Sequence, residues 1–297
     1  MAIEFRCPHC GHQTSVAERN AGQTGPCAGC GQTVTIPAKG GVLLPPARTS
    51  GGGTSNLTTL AVVGVSAVLV VGGLAALVLP AMGTARDRSL CCGNLSCIAL
   101  GLHSYTDTYD CFPPAYTVDE SGRPLHSWRV LILPHMDNAA LYDQIRLDEP
   151  WDSPHNTALA QHMPAFYRCP GHADDGSSHT HYLAIVGQGT AFPGPESVRI
   201  RDIVDGLSRT VAVAETTESV HWMEPRDMPF DGMSFTINDP AGHALGGPHT
   251  GGVNVLFCDD SLEFLPETVP PDIVRLLLLR DDHEQFDWED VIPGRIR

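Results

Sequence analysis

A single lysine, Lys39, occurs in the 297 residues, and every other base is an arginine. Eighteen Lys and Arg stand against 34 Asp and Glu, a formal charge of −16. So acidic a chain lacks the positive field that phosphate backbones demand, and no cluster of basic and aromatic residues offsets the deficit. A nucleic-acid partner is therefore not expected. Also missing are a Gly-x-Ser-x-Gly elbow, an HExxH helix and a phosphate-binding loop, so none of the motifs that announce a hydrolase or nucleotide enzyme is present. The chain is read as non-enzymatic.

The scarcity of bases is uneven. Residues 1–56 carry Arg6, Arg19, Lys39 and Arg48 against Glu4 and Glu18, a net charge of +2, so the acidity lies downstream. Cysteines divide the same way, four near the start and six later: Cys91, Cys92, Cys97, Cys111, Cys169 and Cys258. Such a split suggests two compartments rather than one globule.

Cys7-Pro8-His9-Cys10 and Cys27-Ala28-Gly29-Cys30 form two CxxC pairs with sixteen residues between them, each followed by glycine, Gly11 and Gly31. A CxxC turn aims two thiolates at one point, and the trailing glycine lets the backbone fold beneath them. Two such turns supply the four sulfurs of a structural Zn²⁺ site, so residues 1–37 read as a zinc ribbon. His9 and His12 are expected to be exposed. A ribbon of this size cannot bury a core, and metal binding would supply most of its folding energy.

Residues 38–56 read as a flexible Gly/Ser/Pro linker. Leu57 to Leu79 then gives 23 residues without a charge, about 34 Å as a helix, the reach of an uncleaved transmembrane span. The flanking bases, Lys39 and Arg48 against Arg86 and Arg88, nearly tie under the positive-inside rule. Zinc thiolates suit the reducing cytosol, which places the ribbon inside and the acidic domain outside the cell membrane.

Beyond Pro80, Cys91, Leu95, Ile98, Leu102, Tyr105 and Tyr109 recur at steps of four and three, the stripe of an amphipathic stalk helix over 80–110. CFPPAY ends it, because neither proline can continue the hydrogen-bond ladder. Residues 111–297 form the outer domain. Strands are expected at 181–187, 209–215, 233–238 and 252–260, the last in a hairpin with SLEFL; short helices are expected in MDNAALYDQIR and PPDIVRLLLLRDD. LHSWRVLILPHM reads as a strand or buried segment against the stalk. The class is α+β.

Several of these stretches carry a likeness to a known family. ALVLPAMGTARDRSLCCGNLSCIALGLHSYTDTYDCFPPAY resembles the stalk of the prepilin-like proteins abundant in planctomycetes, the domain-of-unknown-function family numbered 1559. HSWRVLILPHMDNAALYDQIRLDEPWDSPHN, YRCP and AETTESVHWMEPRDM follow in the family's order. HTGGVNVLFCDDS is similar to its closing signature of a histidine, nine residues and Asp-Gly: here His249 and Asp259, with Asp260 in the glycine's place. The resemblance spans about residues 74–265 and implies a pilin-like long helix packed on an antiparallel sheet. Family members commonly begin with a Gly-Phe-Thr-Leu-Val-Glu leader. This chain has TSNLTTLAVVG there, which suggests a permanently anchored relative rather than a polymerising pilin. Partners would be the lipid bilayer and protein: assembly or secretion machinery, or further copies of the chain.

Two side-chain groups in the outer domain invite chemistry. Glu215, Glu218 and Asp227 with Trp222 could form a carboxylate site, and a membrane-tethered hydrolase using them is the enzymatic alternative. His172, Asp174, Asp175, His179 and His181 fall within ten residues, and His179 with His181 would share one face of a strand as a metal pair. His249 and Asp259 belong at opposite ends of a strand, in packing and turn roles. Among the outer cysteines, Cys169 and Cys258 are the better candidates to pair; Cys91 and Cys111 bracket roughly five helical turns and cannot meet. A sensor relaying through the ribbon is a further alternative.

Overall fold

A computed structural model of the protein describes residues 2–36, 85–172, 176–284 and 286–292. The chain divides into two compact units, within Met1–Ala67 and Val68–Arg297. The linker and the apolar run Leu57–Leu79 lie outside the described residues. Among the described ones, no helix is long and apolar enough to cross a membrane.

The N-terminal unit is two small antiparallel hairpins, β1 (Ala2–Arg6) with β2 (Gln13–Ala17) and β3 (Thr24–Pro26) with β4 (Thr33–Thr35). Each CxxC sits in the turn of its hairpin. In both turns the glycine N–H after the second cysteine bonds back to the first cysteine's carbonyl, Gly11 to Cys7 at 2.9 Å and Gly31 to Cys27 at 2.8 Å. Gly11 and Gly31 have φ of 73° and 72°, the left-handed region that costs other L-residues roughly 1–2 kcal/mol. Of residues 2–36 only Cys7 and Cys27 are buried.

In the C-terminal unit, helix α1 covers 85–109 and stops at Asp110, whose φ is 59°. Cys91, Leu95, Ile98 and Leu102 of the expected stripe are buried. Tyr105 is half-buried, whereas Tyr109 at the helix end is 56% exposed. Its ring rests 4.4 Å from that of Tyr105 and 6.2 Å from that of His135 rather than entering the core.

A five-stranded sheet has the order β11-β10-β8-β7-β9, formed by β7 (His179–Val186), β8 (Val211–His221), β9 (Met228–Pro229), β10 (Gly252–Phe257) and β11 (Leu262–Pro266). All neighbours are antiparallel except the two-residue edge strand β9, which runs parallel to β7. Strand register then sorts side chains between two cores. Ala184, Val213 and Leu256 face α1, while Leu183, Ala214 and Val255 face the helix Pro271–Leu277 on the far side. The α+β architecture, a long helix laid on a largely antiparallel sheet, is thus present.

Three expectations change. The segment 233–238 is turn-rich, with only an isolated bridge from Ser234 to Ala244. Ser234 hydroxyl and Asp239 carboxylate bond each other at 2.5 Å, a local closure that competes with extended pairing. Strand β8 continues to His221, well beyond Glu215. The Trp128 segment splits into β6 (Pro124–Ser127), paired with β5 (Tyr116–Val118), and the short helix α2 (Trp128–Leu131), whose first turn is capped by the Ser127 hydroxyl accepting from Arg129 N–H.

Candidate metal centres

The four ribbon sulfurs converge, each within 4.8 Å of the others, with Cys7 to Cys30 and Cys10 to Cys27 both at 3.8 Å. That spacing equals the edge of a tetrahedron with bonds of ~2.3 Å, the usual length from zinc to thiolate. The Gly29 N–H reaches Cys27 Sγ at 3.3 Å. Backbone N–H groups of Gly29 and then Cys30 bring the Cys27 thiol down to about 6, toward the thiolate a metal needs. His9 and His12 are exposed and leave the four-sulfur set closed. Cys7, Cys10, Cys27 and Cys30 can therefore hold a metal ion.

The expected carboxylates of the C-terminal unit do not gather. Asp227 lies under the sheet's helix side: its Oδ1 accepts from Arg129 Nη1 at 2.6 Å, Trp128 Nε1 at 3.1 Å and Ala184 N–H at 2.9 Å. Arg129 is wholly buried and spends its remaining donors on the carbonyls of Trp222, Tyr182, Glu224 and Arg226. Burial raises the Asp227 carboxyl, against the pull of Arg129. Trp222 donates its Nε1 to the Ala160 carbonyl at 2.9 Å and stacks on Tyr167. Glu218 pairs with His243. These groups lock loops to the sheet, each through partners of its own.

Glu215 belongs to a different set. Tyr182, Glu215 and Asn254 stand in one cross-strand row on the face toward α1. Glu215 Oε2 accepts from Asn254 N–H at 3.0 Å and Nδ2 at 2.9 Å, while Oε1 lies 3.0 Å from His249 Nε2. From the loop after Tyr167, Cys169 Sγ comes to 3.7 Å from Glu215 Oε1 and 4.0 Å from His249 Nε2. From α1, Cys91 Sγ comes to 2.7 Å from Cys169 Sγ, both thiols being free. All four side chains are buried, and their ligating atoms lie within 4.8 Å of one another. Burial lowers the His249 imidazole, but Cys91 and Glu215 outweigh it and lift it to about 9. The Cys169 contact, then burial, raises the Cys91 thiol strongly.

This arrangement is not that of a thiol nucleophile. Cys169 and Glu215 meet the same ring nitrogen, whereas a triad puts nucleophile and acid on opposite nitrogens of the histidine. Cys169 is also only 2% exposed, which denies a substrate access.

The expected Cys169–Cys258 pairing does not form. Cys258 is buried at the end of β10, its N–H bonded to the Thr210 carbonyl, and Cys169 turns to Cys91 instead. His179 and His181 also part. A register shift between Thr180 and Tyr182 leaves His179 edge-on to His221, while His181 stacks on His172 with ring centroids 3.5 Å apart. Asp174 and Asp175 lie outside the described residues. His249 and Asp259 do flank β10, and Asp259 Oδ1 accepts from Ser261 N–H and Oγ as a turn residue. At Asp260, which follows it in the turn, φ is 67°.

The meeting of Cys91 and Cys169 with Glu215 and His249 escaped sequence reasoning. The available signals were Cys91 on the buried stripe and Cys169 in a Cys-Pro-Gly-His run, but no local spacing links residues that far apart. No curated protein and no solved structure matches the chain. Residues 83–195, from α1 to the loop after β7, match the model of a family described as a protein of unknown function (DUF1559), so the resemblance carried by the stalk and the blocks that follow it holds over that stretch.

Proposed function

We propose that this chain is a non-enzymatic, single-pass membrane protein: a cytoplasmic zinc ribbon, a span at Leu57–Leu79, and an extracytoplasmic pilin-like domain that works in surface assembly or interaction. Zn²⁺ is the ribbon's structural metal, held by Cys7, Cys10, Cys27 and Cys30. The observation that carries the reading is α1. It is a helix, described from residue 85, that packs one face on the sheet and follows in the chain an uncharged run long enough to cross a bilayer. Its outer face keeps Leu90 46% and Leu100 68% exposed, with Cys97 between them. Seven- and three-residue steps place these three on one side, a suitable surface for a neighbouring stalk. The dispersal of Glu215, Glu218 and Asp227 into separate networks gives the hydrolase alternative no support. The acidic surface favours partners of opposite charge or contacts bridged by cations.

The test is alkaline carbonate extraction of membranes. The full chain should stay in the pellet, and a variant lacking residues 57–79 should be released. If the full chain is released as readily, the anchored reading fails.

A further inference from the structure

We propose that Cys91, Cys169, Glu215 and His249 form a second zinc site, which clamps α1 and two loops to the sheet. Four elements remote in sequence each contribute one donor: α1, the loop after Tyr167, β8, and the loop before β10. Two thiolates, one imidazole nitrogen and one carboxylate oxygen are a donor set suited to a borderline divalent ion; hard cations such as Mg²⁺ and Ca²⁺ prefer oxygen alone. Three of the donor separations, 3.7, 4.0 and 3.0 Å, already approximate the edges of a zinc tetrahedron. The two sulfurs at 2.7 Å would spread as the ion enters between them.

Support for the ligands extends one layer outward. Asn254 holds the second oxygen of Glu215 with two donors and fixes which oxygen faces the centre. Gly171 is so close to Pro248 and His249 that a Cβ would fall 2.6 Å from Pro248 and 3.2 Å from the His249 ring, so the two loops pack directly on each other beside the site. His172 follows, and its buried Nε2 has no hydrogen-bond partner.

Donor chemistry favours the ion. Two sulfurs, an imidazole nitrogen and a carboxylate oxygen crowd one dry space, and a single divalent ion would satisfy all four at once. With Zn²⁺, both thiols and His249 Nε2 release their protons to solvent, the ion offsets two of the three negative charges, and the two Asn254 donors meet the Glu215 carboxylate. Four protein donors close the shell and leave no position for water or substrate, so the site is structural. A Cys91–Cys169 disulfide is the competing chemistry in an oxidising compartment and would leave Glu215 and His249 without a common ligand; burial shields these two sulfurs, whereas Cys10 and Cys30 of the ribbon are exposed and need the reducing cytosol.

The experiment uses the full chain in detergent with Cys7, Cys10, Cys27 and Cys30 all changed to Ser, which removes the ribbon's claim on metal. Elemental analysis should find about one zinc per chain in this variant, and about none once Cys169→Ser or His249→Ala is added. Cobalt(II) added to the metal-free quadruple variant should give tetrahedral d–d bands and a thiolate charge-transfer band. That readout leaves all four proposed ligands intact, so a misfolded ligand variant cannot decide the matter. The proposal is overturned if the quadruple variant binds neither metal, whether peptide mapping then finds Cys91 joined to Cys169 or finds both thiols free.

Discussion

The two units solve opposite problems. Among residues 2–36 only two side chains are buried, and both are cysteines. The C-terminal unit has two separate apolar cores on the two faces of one sheet, with Trp128, Trp222, Tyr167 and Phe192 fully enclosed on the helix side. The first has no core to hold it and depends on four sulfurs meeting. The second is held by burial and uses polar groups to fix which loop docks where. Comparing them teaches that similar cysteine chemistry can serve as the fold's foundation in one place and as a clamp on an existing fold in another.

Removing metal should separate the halves most sharply. Structural zinc contributes on the order of 10 kcal/mol to such ribbons. Chelation should therefore abolish amide protection throughout residues 2–36, while the sheet strands of the larger unit stay protected, with loosening confined to the start of α1 and the loops bearing Cys169 and His249. Hydrogen exchange read by mass spectrometry checks this. Protection in the ribbon that survives chelation would break the contrast.

The next largest effect belongs to the core-held half. Asp227→Ala strands the buried Arg129 cation, which has no route to water. A loss of about 3–5 kcal/mol follows, measured as a fall in the denaturant midpoint of the C-terminal unit with the metal content of the N-terminal unit unchanged. An effect under 1 kcal/mol would mean the pair is hydrated after all.

Gly31→Ala sharpens the other side. A Cβ there meets nothing within 4 Å, so the cost is that of holding φ at 72° and nothing else. Roughly 1–2 kcal/mol should appear as about ten-fold weaker zinc binding by the ribbon, read by competition with a chromophoric chelator. Unaltered affinity would show that the knuckle backbone does not need the left-handed turn.

The smallest change concerns His126, which is fully buried with neither ring nitrogen in hydrogen-bond geometry, although carbonyls of Glu149, Arg146 and Leu147 lie near. Burial, partly opposed by those carbonyls, lowers its pKa below the ordinary 6.5. The folded state thus prefers the neutral ring: its stability is complete above pH 6.5 and is lost as pH falls below that value. His126→Leu should add about 1 kcal/mol near neutrality and flatten the acid limb of the stability profile. An unchanged acid limb in thermal melts would assign that sensitivity elsewhere.

Periodic and local features were legible in the sequence. The CxxC-Gly repeats specify both knuckles because each is a local turn. The stalk stripe predicts the buried face of α1 from Cys91 to Leu102, and the run around Asp259 predicts the β10–β11 hairpin. What could not be read was anything decided by register or remote contact. Glu215 looks like a companion of Glu218 and Asp227 in the chain, but cross-strand pairing sets it beside Asn254 and His249 instead. Cys169 finds Cys91 rather than Cys258 because helix α1 brings the former over the sheet. Segment 233–238 has the composition of a strand, but it meets residues 243–245 only through two backbone bonds and one bridge, with a turn between them. Asp260 holds a glycine-like φ that asparagine and aspartate can adopt at modest cost, and its carboxylate meets His103 at 2.7 Å.

The compartment argument underlies the roles assigned to both halves, and protease shaving of intact cells tests it most directly, with one tag ahead of Cys7 and another after Arg297. The account predicts that only the C-terminal tag is lost, with the ribbon shielded inside. Loss of the N-terminal tag while the C-terminal one is protected would put the zinc ribbon outside and contradict it.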